Sequence, residues 1–142
     1  MVINFSKTIW TLGSAIMILL GVVHLYLTFL TEKFHTSNTS LENAMRTTSP
    51  NLTDKITFWS GWEGFNASHS CGIIFIGLIN IYLIYKYFET LQWDHFYFIL
   101  NICTIAVYLF LANRFWFNIP LFGLGLTMVC YLVSYIFILY HK

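Results

Sequence analysis

Charged residues are scarce in this chain. Of its 142 residues, 9% are Asp, Glu, Lys or Arg, whereas soluble domains average about 25%. The net charge is +1 and no basic run occurs, which argues against nucleic acid as a partner. Hydrophobic residues make up 58% and aromatics 20% of the chain. Because a soluble protein of this size could not hide so much apolar surface, the composition indicates an integral membrane protein that meets lipid headgroups.

Several common site motifs are also missing. The chain contains no G-x-G-x-x-G, P-loop, H-E-x-x-H or C-x-x-C-H pattern, which argues against nucleotide, zincin and covalent-haem sites. The three cysteines are an odd number without C-x-x-C spacing, so a disulfide framework is not expected. All lie in apolar runs and are expected to be small buried hydrophobes: Cys71, Cys103 and Cys130.

Four apolar segments are long enough to cross a bilayer, which takes roughly 20 residues. They cover about residues 8–30, 66–88, 93–113 and 120–140. Because two of the connections are short, the last three segments should be antiparallel neighbours. The expected fold is all-α: an antiparallel four-helix transmembrane bundle that forms a single integral membrane domain over residues 1–142.

The first connection is longer and polar. Residues 31–57 are rich in Ser, Thr and Asn and contain Pro50, which is typical of an exposed loop, with a short helix at about residues 40–46. The following stretch, D-K-I-T-F-W-S-G-W (Asp54–Trp62), is amphipathic and is expected to lie along the membrane interface. Tryptophans near the span ends predict two aromatic belts, Trp10 and Trp93 on one side and Trp59, Trp62 and Trp116 on the loop side.

The orientation in the membrane follows from weak signals. Positive charges are nearly balanced between the two sides. Four spans with short ends favour a position of both termini in the cytoplasm, with the first loop on the opposite side of the membrane.

Each span carries one small or polar face when residues are placed at about 100° intervals. These faces are expected to pack together, because glycine and serine allow helices to approach closely. Asn80 and Asn101 lie at similar depths on neighbouring helices and are expected to share a hydrogen bond. The faces comprise Gly13, Met17, Gly21, His24, Thr28 and Thr31; Glu63, Asn66, His69, Ser70, Gly77 and Asn80; Asp94, Tyr97, Asn101, Thr104 and Tyr108; and Gly123, Thr127, Tyr131 and Ser134.

Two histidines fall at compatible depths. At 1.5 Å per residue, His24 lies roughly 7 Å and His69 roughly 12 Å from the span middles, both toward the loop side. An ionisable residue inside a span is a functional-site hypothesis by default. The sequence therefore predicts a polar cluster for ligand binding, formed by His24, Glu63, Asn66, His69, Ser70 and Arg114.

Each of these residues also has a structural interpretation. On this interpretation, His24 is a neutral imidazole satisfied by Thr28 or by a partner on the second span, Glu63 is an acid at a helix start, and Arg114 is a snorkelling anchor. Ser68 points about 100° away from His69 on a helix, which makes a Ser–His nucleophile pair geometrically poor. The remaining histidines, His35, His95 and His141, are expected to be interfacial or solvated.

A histidine late in the first span, G-F-N-A-S-H-S-C-G at the start of the second, and R-F-W-F-N-I-P before the fourth are the most distinctive strings. In these strings the chain resembles a group of small four-helix bacterial membrane proteins, and its size and layout are similar to the DoxX-like proteins. The resemblance covers nearly the whole chain and implies a membrane bundle, but no activity. It directs attention to Gly64, Phe65, Asn66, Ser68, His69 and Ser70.

Four functions remain open at this stage. The first is binding of a small lipid, quinone or isoprenoid that enters past Phe65, Trp62 and Trp116. The second is a haem or metal site in which His24 and His69 are the ligands, with Glu63 as a third ligand for a metal. The third is an enzyme acting on a lipid-like substrate with histidine and glutamate as acid and base. The fourth is a purely structural subunit of a larger membrane complex or homo-oligomer.

Overall fold

The computed structural model describes residues 2–140, so His141 lies outside the described residues. Six helices form, and residues 2–140 contain no strand: α1 (Val2–Phe29), α2 (Thr39–Thr47), α3 (Phe58–Lys86), α4 (Phe88–Leu91), α5 (His95–Phe115) and α6 (Asn118–Tyr140). Four of them, α1, α3, α5 and α6, are long and apolar enough to cross a membrane. The four predicted spans are thereby confirmed, and so is the short helix in the first loop.

The start of α3 differs from the prediction. The helix begins at Phe58 rather than near Asn66, so the second half of the supposed interfacial segment Asp54–Trp62 belongs to α3. A reciprocal cap explains this start. Thr57 accepts a hydrogen bond at Oγ1 from the Ser60 amide (3.2 Å), and the Ser60 hydroxyl accepts one from the Thr57 amide (3.0 Å). These bonds satisfy amides that a helix start leaves without partners.

The contacts divide the chain into two compact units. We call residues 1–20 and 73–142 the bundle unit, and residues 21–72 the loop unit. The bundle unit takes the first part of α1, the second half of α3, and all of α4, α5 and α6. The loop unit takes the end of α1, the first loop with α2, and the start of α3.

Within the bundle unit, α1 is antiparallel to α6. The Ser134 hydroxyl donates to the carbonyl of Ser6 (2.8 Å), and Thr127 donates to the carbonyl of Gly13 (3.3 Å). Residue numbers of the bonded partners therefore decrease along α6 as they increase along α1, which is the pattern of antiparallel helices. The same reasoning places α1 against α3, because Trp10 bonds to Asn80. With α3 bonded to α5 through Asn80 and Asn101, and α5 packed on α6, the bundle is closed.

Two glycines allow α1 to approach its neighbours. A Cβ added to Gly77 would lie 2.6 Å from the carbonyl oxygen of Ser14 and 2.6 Å from Cγ1 of Ile18. A Cβ added to Gly13 would lie 2.9 Å from the ring of Tyr131. The expectation that small residues bring the polar faces together is thus confirmed at these crossings.

Asn80 is the centre of a hydrogen-bond network in the bundle unit. Its Oδ1 accepts from Trp10 Nε1 (3.0 Å) and from the Tyr97 hydroxyl (2.6 Å). Its Nδ2 donates to the Ile76 carbonyl (2.9 Å) and to Asn101 Oδ1 (2.7 Å). The predicted Asn80–Asn101 bond is confirmed. Because all four hydrogen-bonding positions of the amide are filled from within the bundle, the network has a structural role.

Trp10 was predicted to lie in an aromatic belt at the membrane interface, and this was wrong. It is fully buried, stacks on Tyr131 with ring centroids 3.9 Å apart, and meets Phe98 edge to face. Trp59 is also buried, with 5% exposure. An indole enters a core when its N–H finds a partner there, and each of these has one, in Asn80 and Glu63.

The outward faces of the bundle helices are apolar. Phe122 is 74% exposed, Phe96 71% and Phe110 66%, which suits contact with lipid chains rather than water. The cysteines were predicted to be buried, and this was wrong for Cys71 and Cys103, which are exposed. In a bilayer an outward thiol meets hydrocarbon, so a small apolar residue need not be inside the protein.

Candidate functional site

The His24 side chain is bonded to Asn66 within the loop unit. His24 Nε2 lies 2.9 Å from Asn66 Oδ1. The other end of the amide, Nδ2, donates to the Trp62 carbonyl one turn earlier in α3 (2.8 Å). Of the two partners that the structural interpretation allowed, Thr28 does not bond to the imidazole, because its hydroxyl donates to the His24 carbonyl. The partner is on the second span, as the other alternative predicted.

His69 approaches the same imidazole from α3. The His24 and His69 ring centroids are 5.6 Å apart and the planes cross at 76°. The two histidines therefore meet, as their depths in the sequence predicted. Phe34 lies against His24 with centroids 5.0 Å apart, and Phe65 stacks parallel to His69 at 6.2 Å. We call His24, Asn66 and His69, with these two aromatic rings, the His24 cluster.

One face of the His24 cluster is open. Both histidines are only partly buried, and Phe65 is 70% exposed. A Cβ added to neighbouring Gly64 would meet no atom of residues 2–140 within 4 Å, its chain neighbours and its own helix turn apart. Gly64 and Phe65 therefore border the cluster on the exposed face of α3.

A second cluster ties α2 to the start of α3. The Arg46 guanidinium lies 3.8 Å from the ring centroid of Trp59 and bonds to Glu42 through Nε (3.0 Å) and Nη2 (2.9 Å). His35 meets Trp59 edge to face at 4.9 Å, and its Nδ1 lies 3.8 Å from Glu42. We call these four residues, with Trp62 stacked at a tilt on Trp59 at 5.2 Å, the Trp59 clasp.

Sequence reasoning missed the Trp59 clasp. His35 was expected to be solvated or interfacial, but it is partly buried against tryptophan. The available signal was Glu42 and Arg46, which stand four residues apart on α2 and form an ion pair on a helix. Nothing in that spacing shows that Trp59 provides the surface on which Arg46 rests.

The other predicted site residues make different contacts. Glu63 accepts a hydrogen bond at Oε1 from Trp59 Nε1 (2.8 Å), so it supports the Trp59 clasp. Ser70 is fully buried and its hydroxyl donates to the Asn66 carbonyl (2.8 Å), which supports the helix turn that carries Asn66. Arg114 belongs to the bundle unit, where its guanidinium lies 5.8 Å from the Phe115 ring centroid.

Metal binding was considered for the two histidines together with Glu63. Within residues 2–140, no group of three or more His, Cys, Asp or Glu side chains is arranged to hold a metal ion. A catalytic zinc ion usually takes three protein ligands. The His24 cluster offers two imidazoles, one of which already bonds through Nε2 to an amide.

Comparison with protein-family models, with curated proteins and with solved structures finds no match to this chain.

Proposed function

We propose that this membrane protein binds a small lipid-like or quinone-like molecule at the His24 cluster. The polar head of the ligand would lie against His24 and His69, and its apolar body would lie along Phe65 and the adjoining lipid. The observation that carries the proposal is the approach of two partly buried imidazoles from two membrane helices, with centroids 5.6 Å apart.

The chemistry of the cluster supports this proposal. Ligand sites are mostly apolar with a few polar groups that converge on one point, and the cluster has two imidazoles and one amide between two phenylalanine rings. Ionisable side chains are rare within spans and usually mark a ligand or ion path. The polar groups of the bundle unit, by contrast, bond to one another across helices.

The location proposed for the protein is a bacterial cytoplasmic membrane, with both termini in the cytoplasm. The resemblance to small four-helix bacterial membrane proteins and the even number of spans support this location. The first loop and the His24 cluster would then be on the outer side, where a ligand would enter from the outer leaflet.

Native mass spectrometry of protein extracted in mild detergent tests the proposed function. We expect an added mass that matches a lipid, a quinone or an isoprenoid, and we expect His24→Ala to lose it. His95→Ala is the matched control, because His95 is an exposed histidine that bonds to Tyr135 in the bundle unit. That variant should keep the added mass.

Two results would contradict the proposal. The first is an added mass that survives His24→Ala and His69→Ala alike. The second is a bare chain that also fails to take up any long-chain phenol, alcohol, ether or quinone on titration. An added mass equal to a haem or a metal ion, lost on His24→Ala, would show that the same residues hold a cofactor instead of a lipid-like ligand.

A further inference from the structure

We infer that the His24 cluster selects a ligand whose head donates a hydrogen bond, namely a hydroxyl group on an apolar body. Phenols, quinols and long-chain alcohols belong to this class, and quinones and ethers do not. The inference deepens the proposed function and rests on it. Its basis is the orientation of the Asn66 amide between two fixed partners, Trp62 and His24.

The Asn66 amide has only one orientation that satisfies both of its partners. The backbone carbonyl of Trp62 can only accept a hydrogen bond, so the amide group that meets it at 2.8 Å is the NH₂. The amide oxygen is then the atom 2.9 Å from His24 Nε2. The reversed amide would place two acceptors together at Trp62.

The orientation of the amide determines where the imidazole proton lies. An amide oxygen accepts and cannot donate, so His24 Nε2 must carry the hydrogen of this bond. A neutral imidazole has one N–H and one lone pair, which leaves the lone pair on Nδ1. A hydrogen bond at one ring nitrogen therefore determines the protonation of both, and here that bond is the one from Nε2 to Asn66. In neutral His24, Nδ1 is therefore an acceptor.

Local bonds hold the amide in that orientation. Asn66 stands one helical turn after Trp62, and the Ser70 hydroxyl bonds back to the Asn66 carbonyl one turn later (2.8 Å). Turning the amide over would break the bond to Trp62 and set the amide oxygen against the Trp62 carbonyl oxygen, where neither atom can donate. The preference for an acceptor at Nδ1 is thus built into the turn of α3 that carries the G-F-N-A-S-H-S string.

An acceptor at Nδ1 discriminates between otherwise similar ligands. A hydroxyl head can donate to it, whereas a carbonyl or ether oxygen faces it lone pair to lone pair. One neutral hydrogen bond contributes about 1 kcal/mol net, and about 1.4 kcal/mol corresponds to a tenfold change in affinity. For a partly buried site we expect a preference of about fivefold for the hydroxyl compound.

The test compares two probes with the same alkyl chain, 4-decylphenol and its O-methyl ether 4-decylanisole. Both are titrated into the full-length protein in lipid nanodiscs at a pH near 8, where an ordinary imidazole is neutral. We expect the phenol to bind about fivefold more tightly than the ether. In Asn66→Leu the ratio should fall toward one, because the nitrogen that carries the proton is no longer determined. Asn43→Leu, a change at an exposed asparagine of α2, should leave the ratio as it is.

A second measurement needs no ligand. Long-range proton–nitrogen NMR of ring-labelled His24 in the wild-type protein reports which nitrogen is protonated. We expect the proton on Nε2. A proton on Nδ1 would overturn the inference even if Asn66→Leu failed to fold.

The remaining outcomes separate the inference from the proposed function. Equal affinity for both probes, lost in His24→Ala, would overturn the hydroxyl preference and leave the binding site in place. Binding of both probes that persists in His24→Ala, or no binding of either probe, would overturn both.

Discussion

Two asparagines of the same helix show how the bundle unit and the loop unit differ. Asn80 is 2% exposed, and its amide makes four hydrogen bonds to the rest of the bundle unit. Asn66 is partly exposed, and within residues 2–140 its amide makes two, one to Trp62 and one to His24. An amide offers two donors and two acceptor positions. The first amide is saturated, and the second retains capacity.

This difference is the reason for assigning a structural role to the Asn80 network and for proposing a binding role for the His24 cluster. In the bundle unit the amide of Asn80 bonds to side chains on two other helices, so this network stabilises the crossing of the helices and offers little to a ligand. In the His24 cluster the Asn66 amide bonds to Trp62 and to the His24 imidazole, and the buried core cluster of the protein contains no residue of the loop unit. Both residues are asparagines, so residue type does not distinguish them. They differ in how many hydrogen-bonding positions of the amide are filled.

The largest expected effect is on the bundle unit, through Gly77→Ala. The new Cβ would lie 2.6 Å from a backbone oxygen, and backbone cannot move aside as a flexible side chain can. Overpacking typically costs about 1–3 kcal/mol and occasionally more. We expect a marked loss of thermal stability in detergent.

Gly125→Ala is the control for that change, because a Cβ there would meet no atom of residues 2–140 within 4 Å beyond its chain neighbours and its own helix turn. Its melting temperature should stay close to that of the wild type. Equal destabilisation by both variants would show that helix geometry, rather than close packing, limits the bundle.

The next effect is that of Asn80→Ala. This change leaves Trp10, Tyr97 and Asn101 without their shared partner, and groups orphaned in a core cost about 1–3 kcal/mol. We expect about 2 kcal/mol of destabilisation in an unfolding titration with denaturing detergent, and no change in ligand binding at the His24 cluster.

A double-mutant comparison sharpens this prediction. Trp10→Phe removes the indole donor that Asn80 accepts, so it should cost less in the Asn80→Ala background than in the wild type. Strictly additive losses would show that the two side chains do not act as one network.

The smallest effect is expected from Arg46→Ala. The guanidinium is partly exposed, and stacking on an exposed aromatic ring contributes about 0.5–1 kcal/mol. We expect faster hydrogen exchange at the amides of α2 and unchanged melting of the bundle unit. In Arg46→Lys the exchange rate of these amides should lie between those of the wild type and Arg46→Ala, because lysine keeps the charge but lacks the planar group that lies on Trp59. Unchanged exchange in both variants would show that the Trp59 clasp does not hold α2.

The sequence was sufficient to predict most of the fold. Length and apolarity alone predict four spans, and helical periodicity correctly placed Gly77, Asn80 and Tyr131 on inner faces. The start of α3 was missed because the hydrophobic run begins later than the helix does. The Thr57–Ser60 cap that starts it was readable in principle from T-x-x-S.

The candidate site was predicted less completely. The depths of His24 and His69 in their spans predicted that the two side chains lie close together. This is confirmed, because their ring centroids are 5.6 Å apart. Their role in binding stays a prediction. The burial of Trp10 and the contact of Arg46 with Trp59 could not be predicted, because periodicity assigns a residue to a face of its own helix and says nothing about the partner that the face meets.

Phe34 and His35 are adjacent in the chain, and one lies on His24 while the other lies on Trp59. Consecutive Cα atoms are about 3.8 Å apart, so a ligand that moves the backbone of Phe34 would also shift His35. Occupancy of the proposed site would then change the order of the first loop. By linkage, anything that binds and fixes that loop would alter the affinity for the ligand in return. A single peptide unit would thus couple the His24 cluster to the Trp59 clasp.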